Sequence, residues 1–572
     1  MRKHIFFLIA ILILAAVLRL LWLDKIPHSI NGDQIHYLLT AKSFFLTGKD
    51  ISQTTSPLSI LLFQYPVGEL AQAELLSFLE MPTIGPFGFS LLGAFLPNAI
   101  LGILTVLMIY LITRKLLNEQ IALFSSFIAA INPWFIFIGR TSYEMIPATF
   151  FYLCSFYLLL ILKGWRILLA LPFFMLAFYS YIATKLILLP LALLFALYCY
   201  LFVHKKKFAK QYIILLGILT LFAFFFVFQL KQAPDASRLS EITILAPNAA
   251  DQVNTIRKTS IDTPLLSLFE NKFTVSFYTL LDNVSNVFSP KYLFLHGDYF
   301  ASLGKYGLFY PLDLVFLLIG GGVLFAKNKK LLTLLTFLIL ISIIPEIVHS
   351  STTENFTPHI TLLFPFFIII MGVGGSQIYN IFKTKKQYPI TVITSLAYAF
   401  FIGSFLNIYF FQMPLQSGFF NLSNRLLSQY IALSQQPNQK IIIYTSDPEG
   451  KFKEYIFYNN LLTKQNASNI AAGLKTQRHT IDNVTFLSCN KSIKKVNKND
   501  LVIAQAQCDM SFPNPKVAIA QLSDSGGVFR IYNDTTCKKY SLSNYISGIK
   551  INDFGVGKLS EQQFCQKLII SQ

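Results

Sequence analysis

Apolar runs of about 18–22 residues recur through the first 411 positions of the chain, and a run of that length is what an α-helix needs to cross a bilayer. That feature decides the class. Mean hydropathy is +0.54, and of 572 residues 54% are hydrophobic and only 13% charged. Soluble cores do not hide that much apolar surface. The same figures exclude disorder, a collagen-like repeat and a small disulfide scaffold. The expected architecture is an all-α polytopic membrane bundle followed by a small α/β domain.

The formal charge of +19 suggests a nucleic-acid partner until it is mapped. Sixteen of the 47 Lys+Arg fall in six short clusters: Arg2 and Lys3; Arg114 and Lys115; Lys163 and Arg166; Lys205 to Lys207 with Lys210; Lys327, Lys329 and Lys330; Lys383, Lys385 and Lys386. One acid, Glu119, accompanies them. Short basic loops on alternate connections are the positive-inside signature, so the charge reports topology and no nucleic acid is expected.

Placing those clusters in the cytoplasm predicts eleven spans, at about 5–23, 87–112, 121–139, 145–162, 167–184, 186–203, 212–230, 313–326, 331–348, 360–381 and 389–411. The first reads as a retained signal-anchor, because no small-residue cleavage site follows it. The eighth is short and carries Gly320, Gly321 and Gly322. The N-terminus then lies inside and the C-terminus outside. Residues 1–411 form the membrane module, with long outer loops at about 24–86 and 231–312, and residues 412–572 form an extracytoplasmic domain.

In that tail, Lys440-Ile-Ile-Ile-Tyr-Thr445 reads as a strand, Asp447-Pro-Glu-Gly450 as a turn and Phe452 to Leu462 as an amphipathic helix. Further strands are expected at Val484–Leu487, Leu501–Ala504 and Phe529–Tyr532. Cys489, Cys508, Cys537 and Cys565 lie in it, whereas Cys154 and Cys199 fall within spans. Four cysteines outside the cytoplasm suggest two disulfides, with three connectivities open.

Chemistry is expected on the outer face, where the long segments are. Asn31-Gly32 is a turn, placing Asp33 at the entrance of a helix that runs to Gly48. Ile35, Leu38, Leu39, Phe45 and Leu46 share one face of it, which suits a helix lying in the membrane interface. Asp33 caps that helix, or serves as a carboxylate at the water–lipid boundary, or does both. Ionisable groups in or beside spans are few, and such groups face a partner or a wet cavity. The notable ones are Arg19, Arg140, Glu144, Lys185, Glu346 and His359. Arg140 and Glu144 stand four apart, the spacing of a structural pair. Lys185 either snorkels or meets an anion such as a lipid phosphate. There is no Walker loop, zinc-type cluster, Gly-x-Ser-x-Gly elbow or Asp-x-Asp motif. With no cytoplasmic domain, an activated donor is expected to be lipid-linked.

Arg19, Leu23, Pro27, Asp33 and Tyr37, with Ala41 and Gly48 after them, resemble the first-loop signature of the GT-C membrane glycosyltransferases of the bacterial protein O-mannosyltransferase and aminoarabinose transferase type. Further segments are similar in the same order: Asn132-Pro-Trp134 through Gly139-Arg-Thr-Ser-Tyr-Glu144; Tyr179-Ser-Tyr181 to Lys185 and Pro190; Phe288 through Lys291 to Asp298; and Pro358-His359 leading to Phe364-Pro365 and Gly372. Together they cover about residues 15–380.

The resemblance implies transfer of a sugar from a polyprenyl-phosphate donor to a hydroxyl, with inversion, on the outer face. Asp33 would be the general base, and Lys185, Arg140 and His359 the candidates for the donor phosphate. Tyr37, Lys291 and Asp298 are candidate outer-loop contacts. Many relatives carry Asp-Glu in the first loop, but here Gln34 follows Asp33, so the role of a second carboxylate is either absent here or passes to Glu144. No cofactor is expected, and a divalent metal stays open. The oligosaccharyltransferase branch fits less well, because its tail carries Trp-Trp-Asp and here Trp22, Trp134 and Trp165 all precede the tail. The rival class is a non-enzymatic lipid or solute transporter or an envelope-assembly scaffold. The acceptor hydroxyl belongs to a protein, a glycolipid or a polysaccharide. Seven Asn-x-Ser/Thr sequons, at Asn283, Asn355, Asn421, Asn466, Asn483, Asn490 and Asn533, match chance in an Asn-rich chain, which favours a bacterial inner membrane over the endoplasmic reticulum.

Overall fold

A computed structural model describes residues 2–54, 74–232, 249–348, 356–384, 388–416, 421–437, 439–489, 499–508, 515, 517–520 and 529–571. Lys385, Lys386, Asn355 and Asn490 lie outside the described residues, as do parts of both long loops. The chain is mostly helical and is a multi-pass membrane protein, with a small sheet near its C-terminus. Among the described residues six helices are long and apolar enough to cross a bilayer: Lys3–Leu20, Leu91–Leu116, Ala209–Phe228, Lys329–Ile347, Leu363–Lys383 and Val392–Gln416. The other five expected spans coincide with shorter helices, Glu119–Ile131, Met145–Ile161, Gly164–Ser180, Leu188–Val203 and Pro311–Lys327.

Basic and neutral turns alternate along the bundle. Arg114–Asn118, Lys163–Arg166, His204–Lys207 and Lys327–Lys329 join helices at one end. Turns 139–144, 181–187, 345–348 and 356–362 come at the other end of those same helices. The alternation follows from connectivity alone, and it gives the molecule two chemically distinct faces.

Two arginines lock the N-terminal helix into the bundle. Arg19, fully buried near its C-terminus, donates to the carbonyls of Ala130 (3.0 Å) and Ala129 (3.4 Å), which end the helix Glu119–Ile131. Arg140, also fully buried, donates to Leu18 O (3.1 Å), Leu21 O (2.7 Å) and Ile26 O (2.7 Å), where the first helix ends. Each guanidinium thus satisfies the orphan C-terminal carbonyls of the other's neighbourhood and meets the negative end of a helix dipole. Gly102 and Gly139 leave room for Arg19, since a Cβ there would stand 3.0 and 3.3 Å from its Nε.

The glycines that make the eighth expected span weak in sequence have a packing role. A Cβ on Gly320 would fall 1.9 Å from Ile370 O, and one on Gly374 would fall 2.0 Å from Phe316 O. The helices Pro311–Lys327 and Leu363–Thr384 therefore touch backbone to backbone, the small-residue contact of membrane bundles.

Within the first loop, a helix at Glu74–Ile84 interrupts the expected connection, and the next span starts at Leu91. The helix Gly32–Thr47 corrects the interfacial reading: Ile35, Leu38 and Leu39 are buried in protein, and Phe45 is exposed. It packs on Glu74–Ile84 and on the tail helix Pro448–Tyr458, so its apolar face is covered by the chain itself.

Among its described residues the tail holds seven strands: β1 (Ile441–Thr445), β2 (His479–Ile481), β3 (Val484–Ser488), β4 (Leu501–Gln505), β5 (Val517–Ile519), β6 (Phe529–Tyr532) and β7 (Ile570–Ser571). Their order is β2-β3-β1-β4-β6-β5-β7, with β1 parallel to both β3 and β4 and the remaining pairs antiparallel. The expected turn at Asp447 is the N-cap of the helix Pro448–Tyr458, whose side chain accepts from Gly450 N. Cys489 pairs with Cys508 across β1, and Cys537 with Cys565.

This tail does not stand apart. Tyr458 Oη accepts from Ile30 N (2.9 Å) and lies 3.0 Å from Ser29 Oγ, while Arg425 donates to His28 O (2.6 Å). The His28 ring stacks on Phe554, Lys25 donates to Asn552 Oδ1 (2.7 Å), and Phe89 packs against Phe457. The segment leading into Asp33 is therefore held by the tail.

Two stability predictions follow from this packing. Gly374→Ala should lower the stability of detergent-purified protein by about 1–3 kcal/mol, measured by thermal unfolding, whereas Gly322→Ala, with open space around it, should not. Arg140→Gln strands several buried carbonyls and should destabilise on the order of 3 kcal/mol. If Arg140 instead held a donor phosphate, that variant would melt like wild type and lose only lipid binding.

Candidate active site

The helix carrying Asp33 starts at a capping box, but Asp33 is not the cap. Asn31 Oδ1 accepts from Asp33 N (3.2 Å), and Asn31 N donates to Gln34 Oε1 (3.4 Å). Gln34, fully buried, thus closes the reciprocal pair that begins such helices. The Asp33 side chain is released from that task and stands exposed in the first turn.

One turn later, Tyr37 points inward and its hydroxyl donates to Glu144 Oε1 at 3.1 Å. Glu144 sits at the N-terminus of the helix Met145–Ile161, at the end of the buried turn 139–144. Asn98 holds that turn from below, donating to Thr141 O (2.8 Å) and Tyr143 O (2.6 Å). Burial beside Asp33, Glu144 and Tyr181 holds the Tyr143 phenol well above its ordinary pKa, which keeps it a neutral hydrogen-bond donor.

Asp33, Tyr143, Glu144, Tyr181 and His359 line one cavity of about 180 Å³, with apolar walls from Met145, Ile182, Leu186, Pro345 and Phe356 among others. His359 Nδ1 donates to Glu346 Oε2 at 2.8 Å, and Glu346 Oε1 accepts from Phe356 N at 2.9 Å. Glu346 therefore orients the imidazole, and the rings of Tyr181 and Phe356 flank it. Acids lie on one side of the cavity and an imidazole on another, with apolar walls between. A polar head attached to a lipid chain fits such a lining.

The remaining sequence candidates fall around this cavity rather than in it. Asp298 Oδ2 accepts from Thr357 N (3.2 Å) and Thr357 Oγ1 (2.8 Å), bracing the segment that carries His359. Lys291 is exposed and does not line the cavity. Lys185 stands over the rings of Phe226 (4.9 Å) and Phe178 (5.4 Å), half-buried, while its neighbours Ala183 and Leu186 reach the cavity wall.

Arg140 needs correction on two counts. All of its guanidinium nitrogens point to backbone carbonyls and Tyr409 Oη (3.2 Å), away from the cavity, and it makes no ion pair with Glu144. The four-residue spacing suggested a helical pair, but residues 139–144 form a turn, so the two side chains diverge. Among the described residues no group of three His, Cys, Asp or Glu is placed to hold a metal ion.

Sequence reasoning passed over Tyr143, Tyr181 and Glu80. The tyrosines lie inside segments that carry the family resemblance, but nothing in their spacing separates a lining phenol from a core one. Glu80 is fully buried on the helix Glu74–Ile84, and Ser142 Oγ donates to its Oε1. An acid on a short helix ordinarily reads as solvated.

Comparison with known proteins follows these lines. Residues 85–228 match the family described as dolichyl-phosphate-mannose-protein mannosyltransferase. No curated protein matches in sequence. Among solved structures, ArnT from Cupriavidus metallidurans bound to undecaprenyl phosphate is 11% identical and has a TM-score of 0.50, covering 92% of this chain and 98% of that one. The oligosaccharyltransferase of Archaeoglobus fulgidus in its apo form is 14% identical with a TM-score of 0.46, covering 80% of this chain. This chain spans 64% of that protein's length. A second structure, the Archaeoglobus fulgidus oligosaccharyltransferase AglB with an inhibitory peptide and a dolichol-phosphate, is 13% identical, covers 93% and 74% of the two chains and has a TM-score of 0.43. The chain is thus similar to the dolichyl-phosphate-mannose-protein mannosyltransferases over residues 85–228 and, in fold, to ArnT from Cupriavidus metallidurans.

Proposed function

We propose that this protein is an inverting glycosyltransferase, moving a sugar from a polyprenyl-phosphate donor to a hydroxyl acceptor at the cavity of Asp33, Glu144 and His359. One observation carries the reading. Three ionisable groups from three distant segments, each within a stretch that resembles the GT-C pattern, converge on one cavity at the face opposite the basic turns. The neighbouring fold bound to undecaprenyl phosphate supports a lipid-linked donor.

In this mechanism the acceptor oxygen attacks the anomeric carbon as the bond from that carbon to the phosphate oxygen breaks. Asp33, exposed at the mouth of the cavity, takes the hydroxyl proton. The leaving group is polyprenyl phosphate, and positive charge stabilises it as it departs. His359 lies on the lining and Lys185 beside it, and these two would meet the phosphate. Glu144, fixed by Tyr37, would bind hydroxyls of the sugar or the acceptor. Attack opposite the leaving group inverts the anomeric centre. The membrane module 1–411 would hold this chemistry, on the outer face of a bacterial inner membrane, with the tail 412–572 outside and facing the acceptor.

The test is incubation of purified protein with a panel of polyprenyl-phosphate sugars, reading release of polyprenyl phosphate. Release from none of them would return the chain to the transporter or scaffold class. Asp33→Asn should fold and bind donor lipid normally but lose about 10²–10⁴-fold in rate; because Asn31 supplies the cap, any loss cannot be charged to the helix. Should Asp33→Asn stay active while Glu144→Gln is dead, Glu144 is the base. Lys185→Met should weaken donor binding with the fold intact, and unchanged affinity would leave Lys185 a cation seated on two rings.

A further inference from the structure

We propose that Glu80 is a positioning residue of this site: its carboxyl, clasped by Ser142, sets the turn that carries Tyr143 and Glu144 into the cavity. The inference rests on the transferase reading but on different observations. Every residue from Arg140 to Glu144 is buried, and the turn is gripped on separate sides. Arg140 ties it to the first helix, Asn98 holds its carbonyls, and Glu80 receives the Ser142 hydroxyl. Glu80 is itself anchored. Its helix is joined to the Asp33 helix by Ser77 Oγ, which donates to Tyr37 O (3.1 Å), and by Lys42, whose Nζ donates to Gly85 O (2.5 Å). One rigid piece thus links Asp33, Tyr37 and the Glu144 turn.

The surroundings decide the form of the carboxyl. Among the described residues Glu80 makes no ion pair, and its Oε2 has no hydrogen-bond partner. The helix Gly32–Thr47 brings Asp33, His36, Tyr37 and Lys42, the last committed to the carbonyls of Ile84 and Gly85. Leu91–Leu116 brings Asn98, with Arg114 and Lys115 at its far end, and Leu171–Ser180 brings Tyr179 and no charge. The turn itself brings Glu144 and Tyr143, with Arg140 turned away. A fully buried carboxylate with no cation against it is expensive, and burial beside Glu144 raises its pKa well above the ordinary range. Both effects favour the protonated, neutral form of Glu80. In that form it clasps Ser142 without adding a negative charge to a cavity whose donor is an anion.

The sign of the pH dependence follows. A carboxyl whose folded pKa is raised favours the folded state fully only below its unfolded pKa, and that contribution is lost as pH rises toward the folded value. Glu80→Gln keeps an acceptor for Ser142 and cannot ionise. It should melt with wild type near the ordinary carboxyl pKa of about 4 and progressively above wild type as pH rises from there. In turnover of whichever polyprenyl-phosphate sugar wild type accepts, Glu80→Gln should retain activity and extend it to higher pH. Glu80→Ala leaves the Ser142 hydroxyl without its acceptor and should lose on the order of 10²-fold in kcat. Parallel melting curves for wild type and Glu80→Gln at every pH would overturn the inference, as would equal turnover by Glu80→Ala and wild type. The melting series needs no substrate, so it stands or falls separately from the transferase reading, which fails only if wild type releases no polyprenyl phosphate.

Discussion

Two buried arginines, Arg19 on the last carbonyls of the helix Glu119–Ile131 and Arg140 on those that end the first helix, make the contacts on which the rest of the architecture depends. A membrane helix close to the chain terminus has little to hold it against the bundle, because lipid is as apolar as its neighbours and no hydrophobic force sorts one from the other. Arg19 and Arg140 supply what is missing. Each is a cation buried among carbonyls that have no intrahelical partner. Leaving either unmatched in an apolar interior would be prohibitive, which sets the register of the first helix on the helix Glu119–Ile131. The chain that leaves the first helix carries Asp33, and the turn that holds Arg140 ends at Glu144. The same pair of contacts therefore brings both acids to one place.

From that anchor the site is built by turns, while the helices serve as struts. The two acids differ in their surroundings. Asp33 is exposed and unburdened by capping, which suits its proposed role as general base. Glu144 is nearly buried and holds a phenol. Separate environments let two like groups do different work. His359 reaches the cavity from a third direction, and Glu346 and Asp298 fix the short segment in front of it.

The tail adds restraint from outside the bundle. It touches the strand of chain between Lys25 and Ile30 through Tyr458, Arg425, Phe554 and Asn552, immediately before the turn that begins the Asp33 helix. Two disulfides stabilise the sheet and helices that present those side chains. A loop gripped on one side by a sheet domain and on the other by buried arginines has little freedom left, which suits the carboxylate proposed as the base.

Much of this was legible in the residues. Apolar run length dictated the membrane class, because backbone groups in lipid must be satisfied within a helix. Basic clusters at alternate connections pointed to turns that the fold gathers at one end of the helices, and four of the five resembling segments, from Asp33 to His359, line one cavity. The tail strands at Ile441, Val484, Leu501 and Phe529 followed from β-branched runs between turn residues. What sequence spacing could not decide was direction. Arg140 and Glu144 are four apart in number and diverge in space, since a turn does not keep the helical period. Gln34 looked like a lost carboxylate and is the partner of Asn31 in a cap. Glu80 carried no signal in the sequence and is core. In each case the local chain allowed several orientations of nearly equal energy, and only the packing of distant segments, with its demand that every buried polar group find a partner, selected one.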